Sequence, residues 1–238
     1  TIRRTTDLKV FPNVDFFQRE DSPREIENWE IGADYEYNTA RGDRFKVLAI
    51  SNAFSDALTR ERWDLTGLQS EEKNLFLDSG STTRERIIRG SYTFDMFGGS
   101  QDIELGAERA QTILDSKLAL GIGGIPGTPS SDFGGLVPVS ISNSNSSVEE
   151  MRYEPFIIHN WIFSPRMSLE TSVLYEDSEI TQRGDVSKSR DFDFVKPKAD
   201  FRYDLTPQIQ LRGTIEKIVE QLTFNDFVAA TDNRDEDS

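Results

Sequence analysis

The hydrophobic pattern has a period of two. From Trp29 the odd positions read Trp29, Ile31, Ala33, Tyr35 and Tyr37, while the even positions read Glu30, Gly32, Asp34, Glu36 and Asn38. From Val195 the same rhythm returns, with Val195, Pro197, Ala199, Phe201 and Tyr203 set against Lys196, Lys198, Asp200, Arg202 and Asp204. Successive side chains of a β-strand point to opposite faces, so each stretch has one apolar and one strongly charged face. Such segments recur along the chain. They predict strands at Trp29–Tyr37, Arg44–Phe54, Thr83–Phe97, Asp102–Ala110, Arg152–Phe163, Met167–Thr181, Arg190–Leu205 and Gln208–Val219. Further candidates are 7–18, Thr112–Gly121 and Leu222–Ala229, and 55–66 reads as strand or as one helical turn.

Breakers punctuate the pattern. Residues 38–43 contain Gly42 and read as a turn, as does Phe97-Gly98-Gly99-Ser100. Ser164-Pro165-Arg166 and Thr206-Pro207 are short connections. Residues 20–28, with Pro23, read as a connection, and 67–83 and 182–189 as polar loops. The stretch 122–150 loses all periodicity, rich first in Gly and Pro and then in Ser and Asn. A loop of that length in a compact fold calls for a functional role or disorder. Short connections at one end and long ones at the other are the signature of a membrane barrel with short periplasmic turns and long outer loops. The predicted fold is therefore all-β: an antiparallel up-and-down transmembrane β-barrel, with about 10–13 strands in this chain (a partial barrel by the family resemblance given below). Its expected parts are an N-terminal strand and connection (1–26), the barrel segment (27–230) and an acidic tail (231–238).

Composition is compatible with this. Mean hydropathy is −0.54, and no run approaches the ~18 apolar residues of a membrane helix. Low average hydropathy does not exclude a barrel, because every second residue is polar. The net charge of −15 argues against nucleic acid as a partner, since phosphate contacts need a basic surface. There is no cysteine, which removes disulfide frameworks and cysteine metal sites. Large rings near strand ends, such as Trp29, Tyr35, Tyr37, Trp161, Phe163, Phe201 and Tyr203, suit interfacial girdles better than a soluble core.

Catalytic chemistry has little support. His159 is the only histidine and no partner is marked by spacing, so a strand or girdle role is expected for it. With 42 acids, paired carboxylates arise by coincidence. Asp232, Asp235, Glu236 and Asp237 lack the spacing of a calcium loop and read as a solvated tail. Gly121, Gly123, Gly124 and Gly127 lack a phosphate-loop motif, and Asn145-Ser146-Ser147 is a chance glycosylation triplet in a Ser/Asn-rich stretch. No cofactor, metal or enzymatic activity is expected. The residues placed on the lumen wall are Lys196, Lys198, Asp200 and Arg202, with Arg212 and Glu216 on the facing strand.

Several stretches resemble the barrel of TonB-dependent receptors, the large outer-membrane transporters of Gram-negative bacteria. Phe192 to Pro207 (FDFVKPKADFRYDLTP), with Gln210-Leu211-Arg212 and Leu222 to Val228, is similar to a central hairpin of that family. Trp161 to Glu170 is similar to the hairpin before it, and Arg89 to Phe94, Leu105 to Glu108 and Leu114-Asp115-Ser116 to an earlier part. The resemblance implies uptake of a scarce nutrient (siderophore, vitamin or saccharide) across the outer membrane. It implies outer-membrane lipid, an energy-coupling inner-membrane complex and a small-molecule ligand at extracellular loops as partners. Family barrels have twenty-two strands, a plug and a TonB box, so this chain is expected to be an internal segment. Loop 122–150 is the expected site of surface contact. The alternatives are a complete smaller barrel acting as channel or enzyme, and a soluble β-sandwich that binds carbohydrate or protein.

Overall fold

The computed structural model describes residues 2–3, 6–10, 16–66 and 70–219. They form one antiparallel sheet of twelve strands. The strands are β1 (Ile2–Arg3), β2 (Thr6–Val10), β3 (Phe16–Asp21), β4 (Arg24–Asn38), β5 (Arg44–Thr66), β6 (Ser70–Met96), β7 (Gln101–Ile122), β8 (Val137–Val139), β9 (Asn145–Ser164), β10 (Met167–Gly184), β11 (Lys188–Thr206) and β12 (Ile209–Glu216). β3 and β4 pair in succession along β5, and β8 and β9 along β7. β1 pairs with β4 rather than with β2. Otherwise each strand lies beside its sequence neighbour in an antiparallel up-and-down order. The sheet is open: among the described residues β12 pairs only with β11. The alternation predicts the strands, and the open sheet is the partial barrel that the family resemblance implies.

Register defines the two faces. One row runs Tyr37, Phe45, Tyr92, Leu105, Ile157, Val173, Pro197. The adjacent row on the other face runs Lys46, Ser91, Gly106, Phe156, Leu174, Lys196. The first face is apolar and bare, with Ile31 66% exposed and Ile215 81%. The second face is polar, yet the strand residues with buried side chains lie on it: Leu77, Ala110, Leu114, Val148, Phe156 and Ile180, together with Ser146, Glu150, Glu176, Ser178 and Gln182. A sheet of a soluble sandwich buries its apolar face. This one bends its polar face inward and turns its apolar face out, as a membrane barrel does. The sandwich alternative is therefore set aside.

The tilt can be read from the register. The row through Asn38, the last residue of β4, passes Arg44, Thr93, Glu104, Ile158 and Ser172 to Lys198 on β11. Lys198 lies eight residues before Thr206, the last residue of β11. At about 3.3 Å per residue and about 4.8 Å between strands, that shift over six strand-to-strand steps gives a tilt of about 40°. Barrel strands tilt by ~35–45°.

The outward apolar band covers Trp29–Tyr37 on β4, Met167–Tyr175 on β10 and Val195–Leu205 on β11, or nine to eleven residues each. A membrane strand needs ~9–11 residues, and at this tilt the band is about 25 Å tall. Rings flank it on both sides. Trp29, Tyr153 and Tyr175 mark one edge. Trp161 and Phe163, with centroids 4.0 Å apart, lie near the other. That edge carries the turns 39–43, 97–100, 165–166 and 207–208. Gly42 (φ 95°) and the run Phe97, Gly98, Gly99 (φ 53°, 70° and 85°) supply the left-handed backbone these turns need.

Above the band the strands continue. β6 has 27 residues and β5 has 23, so the hairpins project far beyond the membrane. The loops expected at 67–83 and 182–189 are mostly strand, with Asp185–Ser187 the turn between β10 and β11. The connection expected at 20–28 shortens to Ser22-Pro23, the stretch 55–66 is strand, and β9 starts at Asn145. These regions lie beyond the lipid-facing band, so the alternation fades while the backbone ladder persists. The candidate strand 222–229 and the acidic tail lie outside the described residues.

Gly106 shows how tightly the inner face closes. A Cβ there would strike the Phe156 ring and lie 2.7 Å from the Gly90 carbonyl oxygen. The Arg89 guanidinium sits 4.3 Å from the centroid of the same ring. Gly106→Ala is expected to cost about 1–3 kcal/mol, as overpacking does, measured as a lower midpoint in urea unfolding from lipid vesicles.

Candidate functional site

The inner wall is built from the charged half of the alternation. Arg89 on β6 meets Glu108 on β7 at 3.7 Å, and Arg152 on β9 reaches Glu108 at 3.5 Å and Glu154 at 3.3 Å. Lys196 on β11 lies 3.7 Å from Glu154 and pairs closely with Glu176 on β10. One chain of ion pairs thus crosses five neighbouring strands. The Glu176 side chain is only 1% exposed. Burial pushes the carboxyl of Glu150, above the band, upward, and the nearby Arg152 opposes part of that rise.

Nearer the short turns the wall is more open. Asp200 accepts a hydrogen bond from the Thr214 hydroxyl at 2.5 Å and pairs with Lys198 at 2.9 Å. Arg202 donates to Asp204 at 2.9 Å. Arg212 faces Arg202 across the β11–β12 ladder and donates to the Gln210 amide oxygen, while Gln210 donates to Asp204 at 2.6 Å. Opposed like charges destabilise a ladder unless acceptors surround them, and Asp204 and Gln210 do so. A recess of about 550 Å³ has Asp102, Asn160, Glu170, Asp200, Arg202 and Arg212 on its polar side.

All six lumen candidates, Lys196, Lys198, Asp200, Arg202, Arg212 and Glu216, share this face. The sequence reading missed Arg89, Glu108, Arg152, Glu154 and Glu176. The same parity, carried through β6 to β10, would have found them. Such a wall can hold a polar solute by charge and hydrogen bonding.

His159 faces the opposite way, in the row with Ile103 and Thr171 of the apolar band. Its ring nitrogen is 2.9 Å from the Gln101 amide oxygen, and its ring stacks 6.2 Å from Trp161. That is the girdle role expected of it.

The long loop is partly ordered. β8 extends the ladder at the top of β7, and Ser130 and Leu136 form an isolated bridge. Lys73 donates to the Gly134 carbonyl at 3.0 Å. Positions 121 and 134 must be glycine, because a Cβ at Gly121 would strike Phe133 and one at Gly134 would strike Phe76. Gly121 and Phe76 lie on the outward face, so this part of the loop packs against the outside of the hairpin. The glycines serve packing here.

Where the loop rejoins β9, Asp185 accepts hydrogen bonds from the Asn145 amide (3.1 Å) and the Ser144 hydroxyl (2.9 Å). These bonds hold the Asp185 carboxyl below its ordinary range. A lowered carboxylate contributes stability that is present above its unfolded pKa. That contribution is lost as pH falls through the folded value. Protection of the Asn145 amide from hydrogen exchange, relative to its intrinsic rate at each pH, is therefore expected to be high at neutral pH, to fall only below the ordinary carboxylate range, and to be low at every pH in Asp185→Ala.

A search of curated proteins finds no match to this chain. The family model described as TonB dependent receptor-like, beta-barrel matches residues 2–234. With its polar face turned inward, its apolar band and its strand tilt, the chain belongs to the TonB-dependent receptor-like β-barrel family, a family of outer-membrane transporters and receptors.

Proposed function

We propose that this chain forms part of the barrel wall of a Gram-negative outer-membrane receptor that imports a scarce nutrient such as a siderophore, vitamin or saccharide. The observation that carries the reading is the inversion of the faces: the buried strand residues lie on the charged side and the bare side is apolar. An apolar exterior requires lipid. A charged interior suits a water-filled path. The ligand would be held by charge and hydrogen bonds, with Asp200, Arg202 and Arg212 around the open recess as contacts. Import would draw on an energy-coupling complex in the inner membrane, and no covalent step is involved. The barrel segment would extend over 27–230, with 1–26 as its first strand and connection and 231–238 as a solvated tail. Loop 122–150 would meet the ligand or another surface at the cell exterior.

The test is uptake of labelled siderophores, vitamins and saccharides by cells lacking the whole protein. Loss of one of them, restored by the intact gene and abolished by a protonophore, is the expected result. Restoration by the triple variant Asp200→Ala/Arg202→Ala/Arg212→Ala should be weaker. Unchanged uptake of every nutrient on the panel would overturn the reading.

A further inference from the structure

Directly above the apolar band, the outward face of β6 and β7 carries three arginines. Arg84 and Arg86 lie on β6 and Arg109 on β7. Arg86 pairs across the ladder with Gln111, and Ile88, at the top of the β6 band, pairs with Arg109. Arg86 and Arg109 are therefore diagonal neighbours, with side chains on one face within ~8 Å. All three are exposed. Arg84 pairs with Asp115, and Arg109 donates to the Tyr153 hydroxyl at 3.5 Å. Arg86 has no ion pair or hydrogen bond among the described residues. Glu149, the other acid nearby, accepts from Gln111 at 2.7 Å.

This placement contrasts with the rest of the molecule. The chain has 42 acids against 27 bases. At the same level on β10 and β11 the outward face is acidic, with Asp177, Glu179, Asp191 and Asp193. The basic patch is local, faces away from the inner wall and is continuous with the lipid-facing band. At that level a membrane presents its headgroups, and guanidinium forks match phosphate in geometry and charge.

We propose that Arg86 and Arg109, with Arg84 beside them, dock the phosphate groups of a glycolipid headgroup in the outer leaflet. Two guanidiniums from adjacent strands clamp one phosphate, while the acyl chains lie along Ile88, Tyr92 and Leu105 below. The acidic ledge on β10 and β11 leaves β6–β7 as the anion-binding sector. The proposal rests on the lipid-facing wall of the reading above and not on what is imported.

The test uses the full-length protein in detergent micelles. Retention of bis-phosphorylated lipid A is compared with that of its dephosphorylated form. Wild type is expected to retain the phosphorylated form at least tenfold better. Arg86→Gln/Arg109→Gln should lose about tenfold or more of that retention, since each basic residue near an anionic surface contributes on the order of 1 kcal/mol. Arg86→Lys/Arg109→Lys should keep most of it, and excess inorganic phosphate or a chelator should leave it unchanged. Equal retention of the two lipids by wild type overturns the proposal even if a variant fails to fold. Unchanged retention in the Gln double variant also overturns it. Displacement by inorganic phosphate would mean a free-phosphate site, and loss with chelator a cation bridge to the acidic ledge. Nutrient uptake by the Gln double variant should match wild type, so failure here and failure of the import reading are separable.

Discussion

Ile157→Arg should destabilise the barrel in lipid by about 2–4 kcal/mol, whereas Ile158→Arg, one residue later, should cost less than about 1 kcal/mol. The two positions differ only in face. Ile157 pairs with Leu105 and Val173 in the centre of the outward band. Ile158 pairs with Glu104 and Ser172 on the inner wall. An arginine at the first position must enter hydrocarbon or drag water and headgroups toward it. At the second it joins a wall of alternating charges next to a carboxylate. Reversible unfolding from vesicles in urea gives both numbers. Equal costs, or a larger cost at 158, would mean that the apolar face does not meet lipid.

Lys196→Met should be the most damaging change on the inner wall, at about 3–5 kcal/mol. Glu176 is almost fully enclosed, and Lys196 is the cation placed against it and toward Glu154. Removing the lysine withdraws a cation from an enclosed carboxylate, to which the Ser178 hydroxyl also donates at 3.3 Å. Replacing both partners removes the buried charge together with its cation. Lys196→Met/Glu176→Leu is accordingly expected to recover to within about 1 kcal/mol of wild type. Failure of the double variant to recover would show that the pair is held for other contacts. The change bears on function as well, because the same chain of ion pairs fixes Arg152 and Arg89 across β9 and β6.

The strands inside the membrane were legible in the sequence because lipid imposes the alternation. Trp29–Tyr37, Met167–Tyr175 and Val195–Leu205 had to be apolar at every second residue to sit in hydrocarbon. The turns at 38–43 and 97–100 were legible because left-handed backbone favours glycine. Above the membrane the same strands were misread. Residues 70–83 and 182–184 lie beyond the lipid-facing band, and a backbone ladder by itself does not impose an apolar residue at every second position. The inner wall was half visible: the six candidates on β11 and β12 stand in one unbroken alternation. Arg89, Glu108, Arg152, Glu154 and Glu176 are spread over four strands, and only register brings them together.

The sequence by itself determined that each strand has one apolar and one charged face, because the side-chain period of a strand is two and independent of its neighbours. Turn asymmetry and the large rings near strand ends pointed the apolar face to lipid, but only as an expectation, because a single strand has no inside and curvature belongs to the whole sheet. The tertiary structure decided it, through the ~40° tilt and the burial of Val148, Ile180 and Glu176 on the charged side. The tertiary structure alone likewise set Lys196 against Glu176 and brought Arg86 beside Arg109. Both are contacts between strands, and a period of two fixes the face a residue takes but not which residue stands opposite it on the next strand.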